Sequence, residues 1–243
     1  MNFNENTFIF VFGSAGFIGR EVIQILSNRS IPFYGIDIQD ADLIADLSTL
    51  DLSVLLRHVK KDARVGIINC AGYNQKVENL ASNQQPKWFD LDRWQQCMDM
   101  NLTFPLKLAK FAEMCVIEGS ALVDVIYIGS LYSENSPNNV IYQGQVGMQF
   151  KEPEYVASKH GLIGLVKALS ALKLGENIRF NAISPGAVQS VKMNSLFIQK
   201  FKHVMGGQTN NVEEIAILIV EFLFKNWSLF QGANIKAFGG ALN

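Results

Sequence analysis

Short runs rich in β-branched and aromatic residues punctuate the chain at Thr7–Phe12, Phe33–Asp37, Val65–Asn69, Leu122–Gly129, Ile178–Ser184 and Asn234–Phe238. They are apolar at successive rather than alternate positions, the pattern of strands buried on both faces. Most are separated by apolar residues at helical spacing, among them Arg20–Leu26 and a long stretch from Leu91 to about Ile117. Strands alternating with helices build βαβ units. The chain is therefore predicted to be an α/β protein, a doubly wound parallel sheet between two helical layers. The short run Leu43–Ala45 follows the second strand so closely that the helix between them must be missing or reduced to a turn. Residues 131–154, rich in Asn, Gln and Gly, and residues 187–210 fit neither pattern. Both would leave the carboxyl ends of strands, where open α/β sheets bind ligands. With no internal repeat or low-complexity linker, residues 1–243 read as one domain.

Composition removes several classes of function. The chain is 49% hydrophobic and 18% charged, which excludes a disordered protein. With 21 Lys and Arg against 22 Asp and Glu, it lacks the basic footprint of a nucleic-acid binder. Three widely spaced cysteines, Cys70, Cys97 and Cys115, argue for free thiols in a reducing, cytoplasmic compartment. No Cys or His pair has metal-ligand spacing and His58, His160 and His203 stand alone, so no metal is expected. The N-terminus lacks the basic segment of a signal peptide, and the apolar run Ile215–Phe224 is too short to span a bilayer and carries Glu221. No membrane partner is expected.

The first strand runs into Gly13-Ser14-Ala15-Gly16-Phe17-Ile18-Gly19 and then a helix. Glycines permit close backbone approach there, and the N–H groups of the helix start attract a pyrophosphate. The second strand ends at Asp37, 18 residues after Gly19, near the spacing of an acid that accepts from ribose hydroxyls. A carboxylate there repels a 2′-phosphate, and neither Ile38 nor Ser14-Ala15 supplies a compensating cation, so NAD is favoured over NADP. Asp46-Leu47, after the next apolar run, is a candidate wall of the adenine pocket.

The remaining motifs resemble those of the short-chain dehydrogenase/reductase family, in the right order over nearly the whole chain. Besides the glycine loop there are Asn69-Cys70-Ala71-Gly72, Asn101 on a helix, Ser130 after a strand, Tyr155-x-x-x-Lys159, and Pro185-Gly186 after another strand. The resemblance implies a single-domain Rossmann fold, a nicotinamide cofactor and a catalytic set of Asn101, Ser130, Tyr155 and Lys159. It implies cofactor contacts from Asn69, Ala71, Gly72, Pro185, Gly186, Val188 and Ser190, and a homodimer or homotetramer.

The residue types suit that chemistry. Tyr155 and Lys159 are four apart and share a helix face, where an ammonium near a phenol favours the phenolate. Ser130 would polarise a carbonyl, and Lys159 would also hold the nicotinamide ribose. Pro105 cannot donate to the carbonyl of Asn101, which a kink would free to hold a water in a proton relay.

The chain also departs from the family pattern. Cys70 replaces an Asn, and the 25-residue step from Ser130 to Tyr155 points to an insertion within 131–150. Ser130-Leu131-Tyr132, Ile141-Tyr142-Gln143-Gly144, Met148 and Glu154-Tyr155-Val156-Ala157 resemble more loosely a bacterial subgroup associated with surface-sugar and flagellin modification. That implies a sugar or nucleotide-sugar substrate, for which the polar insertion would supply hydrogen bonds; a surface excursion without ligand contact reads equally well. The expected function is NAD-dependent hydride transfer to or from a ketone or secondary alcohol. A sugar-nucleotide epimerase or dehydratase with retained NAD, or a non-catalytic NAD-binding regulator, are the alternatives. Residues 187–207 are expected to close as a lid, with Gly206-Gly207 a candidate hinge. Ala157, Gly161, Gly164, Ala168 and Ala171 form a small-residue stripe beside a second stripe of Leu162, Leu165, Leu169 and Leu172, and one of the two would face a partner subunit.

Overall fold

In the computed structural model, which describes residues 6–74, 90–142, 150–172, 177–191, 193–224 and 229–241, the strands are β1 (Thr7–Phe12), β2 (Phe33–Asp37), β3 (Leu43–Ile44), β4 (Arg64–Asn69), β5 (Leu122–Ile128), β6 (Ile178–Pro185) and β7 (Asn234–Ala237). They pair in parallel in the order β3-β2-β1-β4-β5-β6-β7. The helices are α1 (Phe17–Asn28), α2 (Leu91–Met98), α3 (Phe104–Ile117), α4 (Pro153–Ala171), α5 (Ser195–Met205) and α6 (Val212–Phe224). Only a bend joins β2 to β3, as the spacing predicted.

Successive strand residues serve opposite layers, which is why the strands read as unbroken apolar runs. Phe10 and Phe12 of β1 pack with Phe104, Phe111 and Leu162 of α3 and α4, while Ile9 and Val11 pack with Val22, Leu26 and Ile219 of α1 and α6. Phe10 meets Phe111 edge-on with ring centroids 5.3 Å apart, and Phe12 meets Phe104 at 5.6 Å. Such pairs add about 1 kcal/mol each beyond their buried area. Between the halves of the sheet, β1 and β4 lie side by side where the strand order reverses, the place at which doubly wound sheets bind ligands.

A separate apolar cluster lies over the carboxyl ends of the strands. Leu131, Tyr132, Ile141 and Tyr142 pack with Phe201 and Met205 of α5 and with Phe238, against Tyr155 and Val156 of α4. Helix α5 corrects the reading of 187–210 as irregular. Asn194 caps it by accepting from Leu196 N–H at 2.8 Å, and Phe201 and Met205 recur at helical spacing on its buried side. The two glycines after it behave differently: Gly206, at φ +71°, closes the helix with open space around it, whereas a side chain at Gly207 would overlap Ala241. Of the insertion, residues 143–149, including Gln143, Gly144 and Met148, lie outside the described residues. No described helix is long and apolar enough to cross a membrane.

Candidate active site

The glycine loop and the end of β4 are built against each other. Gly13 adopts φ +75°, and a Cβ there would come within 2.7 Å of the Cys70 carbonyl carbon and Ala71 Cα. Cys70 N–H in turn donates to Phe12 O at 2.8 Å. A side chain at Gly19 would strike the Gly13 carbonyl, so only glycine lets α1 begin this close to the loop. Gly16 occupies the N-cap without a side-chain cap, and no acidic residue sits in the first turn, so the positive end of α1 stays uncompensated. Ser14 Oγ and Asn69 Oδ1 are buried there without a hydrogen-bond partner. These features fit a dinucleotide phosphate and its ribose.

Asp37, at the end of β2, accepts from Ala15 N–H at 2.9 Å and Ile38 N–H at 2.7 Å. Its carboxylate is thereby fixed at the lip of the glycine loop. Asp46 is engaged locally, accepting from both the N–H and the hydroxyl of Ser48, which holds its carboxyl below the usual range. Leu47 is buried in the core with Ile36. Neither side chain borders the catalytic cavity described below.

That cavity, of about 210 Å³, is lined by Ile18, Cys70, Ala71, Gly72, Tyr73, Asn74, Ile128, Gly129, Ser130, Tyr155, Lys159, Pro185, Gly186 and Val188. Ser130 follows β5 and caps a short 3-10 turn, its Oγ accepting from Tyr132 N–H at 3.2 Å while its own N–H donates to Ser133 Oγ at 2.9 Å. The Ser130 hydroxyl faces the cavity and hydrogen-bonds the Tyr155 phenol there. Tyr155 and Lys159 come from the first two turns of α4, which Pro153 opens. Gly186 N–H donates to Ala237 O and to Asn210 Oδ1, and Val188 bridges to Asn210, fixing the start of the segment after β6. Ser190 lies beyond, its carbonyl accepting from Met193 N–H.

Asn101 sits in a π-turn, Asp99–Thr103, that joins α2 to α3 just before Pro105. A widened turn is how a helix accommodates a proline that cannot bond the carbonyl four residues back. The Asn101 side chain is itself saturated: Oδ1 accepts from Tyr73 N–H at 2.6 Å, and Nδ2 donates to Tyr73 O and Ser158 Oγ, each at 2.9 Å. Its Oδ1 lies beneath Gly72, where a Cβ would come within 3.3 Å of it.

The expected lowering of Tyr155 by Lys159 is not what the geometry produces. Burial pushes the Tyr155 phenol up to about 12, opposed by a hydrogen bond with Ser130. Burial also draws Lys159 down to about 8, with Lys151 repelling it further, and its ammonium donates to Ile128 O at 2.8 Å. Desolvation disfavours the charged form of both groups. Residues that sequence reasoning missed cluster around the pair: Tyr73, Cys97 and Ser158 about Asn101, Asn210 beside Gly186, and Lys151 over the Tyr155 ring. Of these, Lys151 alone carries a sequence signal, lying one helical turn before Tyr155.

A family profile described as Enoyl-(Acyl carrier protein) reductase matches residues 55–241. Asnovolin H dehydrogenase nvfC of Aspergillus novofumigatus is 31% identical over 132 residues, 53% of this chain but only 43% of that protein. The short-chain dehydrogenase/reductase aba4 of Botryotinia fuckeliana (strain B05.10) is 26% identical over 266 residues, covering 97% of this chain and 96% of its own. The crystal structure of a short chain dehydrogenase from Leptospira borgpetersenii with bound NAD+ superposes with a TM-score of 0.77 at 18% identity, over 97% of this chain and 92% of that one. Neither fungal relative is named for a sugar. Motif order, strand order and profile match agree: the chain belongs to the short-chain dehydrogenase/reductase family of oxidoreductases.

Proposed function

We propose that this protein transfers hydride between a nicotinamide cofactor, NAD in preference to NADP, and the carbinol or carbonyl carbon of a small-molecule secondary alcohol or ketone. The observation that carries this reading is the convergence of Ser130, Tyr155 and Lys159 on one cavity with Ile18, Gly186 and Val188, beside a helix N-terminus built for a phosphate. NADH-bound or NAD-bound relatives of similar fold support the cofactor class. The fixed carboxylate of Asp37 supports the preference for NAD. The bound nicotinamide supplies or accepts the hydride. In reduction, Tyr155 gives its phenolic proton to the substrate oxygen while Ser130 donates a second hydrogen bond to it; in oxidation the phenolate takes the proton back. Lys159, tethered by the Ile128 carbonyl, keeps two ammonium protons for the ribose hydroxyls and for a proton path past Asn101.

The sugar-like substrate rests on the loose motif resemblance between Ser130 and Ala157 and on the polar content of 131–154. Its Tyr132 and Tyr142 are buried in the apolar cluster with α5, their hydroxyls bonded to each other, and do not line the catalytic cavity. Residues 187–207 act as a lid over this site. The free thiols support a reducing, cytoplasmic compartment, and the exposed outer faces of α3 and α4 support a dimer or a tetramer built from dimers. The test is loss of NADH absorbance with a panel of ketones, ketosugars among them. Turnover with at least one ketone that disappears in Tyr155→Phe is expected, with cofactor affinity nearly unchanged. Conversion of substrate without net NADH change points instead to an epimerase or dehydratase.

A further inference from the structure

Lys151 is a buried lysine that the reading above leaves without a task. It stands four residues before Tyr155, ahead of α4, and its Nζ lies 4.0 Å from the centroid of the Tyr155 ring, nearer than that of Lys159 at 5.7 Å. Two neighbours hold it there: Asn74 Oδ1, on the rim of the catalytic cavity, accepts its hydrogen bond, and the Glu152 carboxylate pairs with it at 3.2 Å. Burying an ammonium is costly unless its charge is used or matched. A fold needing only volume at this position would be served by an apolar side chain.

We propose that Lys151 is a second positioning cation for the acid–base residue, gripping the Tyr155 ring by its face and stabilising the negative charge that develops there as the phenol gives up its proton. The inference rests on the hydride-transfer reading. In reduction the phenol O–H bond breaks, its proton forms the new bond to the substrate oxygen, and the electron pair stays on the phenolate; Lys151 keeps its own protons throughout. A cation over an aromatic face interacts more strongly with the ring as the ring becomes an anion. The other ionisable groups facing Tyr155 are Glu152 from the segment entering α4, Lys159 one turn on, Cys97 of α2, and Tyr132 and Tyr142 of the insertion. Cys70 at the end of β4 lies against Lys159, and Glu154, paired with Arg93, lies behind Lys151. Lys151, drawn below its ordinary value by burial and held up by Glu152, adds a favourable charge to a site where Cys97, Tyr132 and Glu152 oppose ionisation.

The test starts from Glu152→Gln, so that removing the lysine leaves no unpaired carboxylate. Fluorine NMR of protein carrying 2,3,5-trifluorotyrosine, whose phenol ionises several pH units below that of tyrosine so that Lys151 is still charged as Tyr155 titrates, reads the titration without substrate or cofactor; Tyr155→Phe assigns the signal. Adding Lys151→Gln, which keeps a donor for Asn74, is expected to raise the Tyr155 midpoint by roughly one pH unit, a roughly tenfold weaker ionisation. Lys151→Arg in the same background should restore most of the shift. In turnover, kcat for reduction should fall roughly tenfold with KM for the cofactor unchanged. An unchanged midpoint, or an arginine variant no different from glutamine, overturns the proposal. Lys151→Met is a second neutral replacement; if neither neutral variant folds, the lysine is structural and the proposal also falls. A midpoint shift in a protein that turns over no ketone counts against the hydride-transfer reading and leaves the role of Lys151 standing.

Discussion

Asn101 holds the backbone of Tyr73 at both of its polar groups, accepting from the N–H at 2.6 Å and donating to the carbonyl at 2.9 Å. One side chain on the π-turn thus does for the loop after β4 what a neighbouring strand would do, and fixes the Gly72–Asn74 wall of the catalytic cavity. Asn101→Ala removes both bonds and the one to Ser158. The expected cost is about 1 kcal/mol of stability, since the half-buried backbone groups of Tyr73 lose their partner. The same variant should bind NADH more weakly, because Gly72 loses its support. Denaturant unfolding and fluorescence titration read the two effects.

The opposite shifts of Tyr155 and Lys159 set the pH behaviour. A phenol pushed up to about 12 is protonated through the neutral range, ready to act as an acid. Reduction should therefore be nearly flat from neutral to mildly alkaline pH, while oxidation, which needs the phenolate, should climb steadily over that range. Initial rates in both directions against pH decide it; an oxidation rate already level at neutral pH would contradict the phenol's position.

Lys159 trades stability for its task. Its ammonium, ordinarily at 10.5, is drawn down to about 8 by burial, so the folded state releases its proton before the unfolded chain does. Folding is penalised below the folded value, and this penalty is relieved as pH rises from about 8 to the ordinary lysine value. Lys159→Met should abolish turnover yet raise stability at pH 7 by about 2 kcal/mol, the desolvation relieved less the lost bond to Ile128. Thermal unfolding of the cofactor-free protein, at neutral pH and above pH ~10, measures the gain and its disappearance with rising pH.

The legibility of this chain divides along physical lines. Central strands such as β1 and β5 were readable because both faces are buried and the apolar run is nearly unbroken, with Asp124 of β5, paired to Arg64 and Arg179, the one charged residue inside it. Asp37, Ser130, Tyr155 and Lys159 were readable because local spacing, strand end or helical turn, fixes their place. Helix α5 also carried a helical signal, an Asn cap followed by Phe197, Phe201, Val204 and Met205 a turn apart, which the polar and glycine-containing flanks of the segment masked. The grip of Asn101 on Tyr73 depends on segments 28 residues apart meeting, which periodicity does not encode. Nor does it encode burial, which set the direction of the Tyr155 shift against the simpler expectation from its lysine neighbour.

Asp37 offers its carboxylate beside the glycine loop with both oxygens already held by backbone N–H groups. A 2′-phosphate there would meet a fixed negative charge with Ala15 and Ile38 as its immediate neighbours. NAD(H) should bind at least tenfold more tightly than NADP(H), a difference of about 1.4 kcal/mol, and Asp37→Ala should narrow the gap. Fluorescence titration of both reduced cofactors reads it, and equal affinities in the unmutated protein would remove Asp37 from the ribose site.

The two stripes on the outer surface of α4 differ in exposure. Leu162 and Leu169 are buried against the sheet, whereas Ala157, Gly164 and Ala168 are exposed, and nothing lies within 4 Å of where a Cβ on Gly164 would stand. Gly161 is the exception within the small stripe, packing against Leu102. Beside this flat strip runs a mainly apolar groove of about 430 Å³ between α3 and α4, where Leu106 and Leu172 remain 52% and 63% exposed. Small residues let a second helix come close, and the flanking leucines give it apolar area to cover; a surface that serves both partners alike is the requirement of a two-fold dimer. The protein is expected to run in light scattering at twice its monomer mass of 27.1 kDa or a multiple of that. Ala168→Arg, which places a charge at the centre of the strip without touching the sheet, should give folded monomers. Because Tyr155 and Lys159 ride on the same helix, those monomers should lose activity while retaining NADH binding. Wild-type protein that stays monomeric at micromolar concentration would rule this interface out.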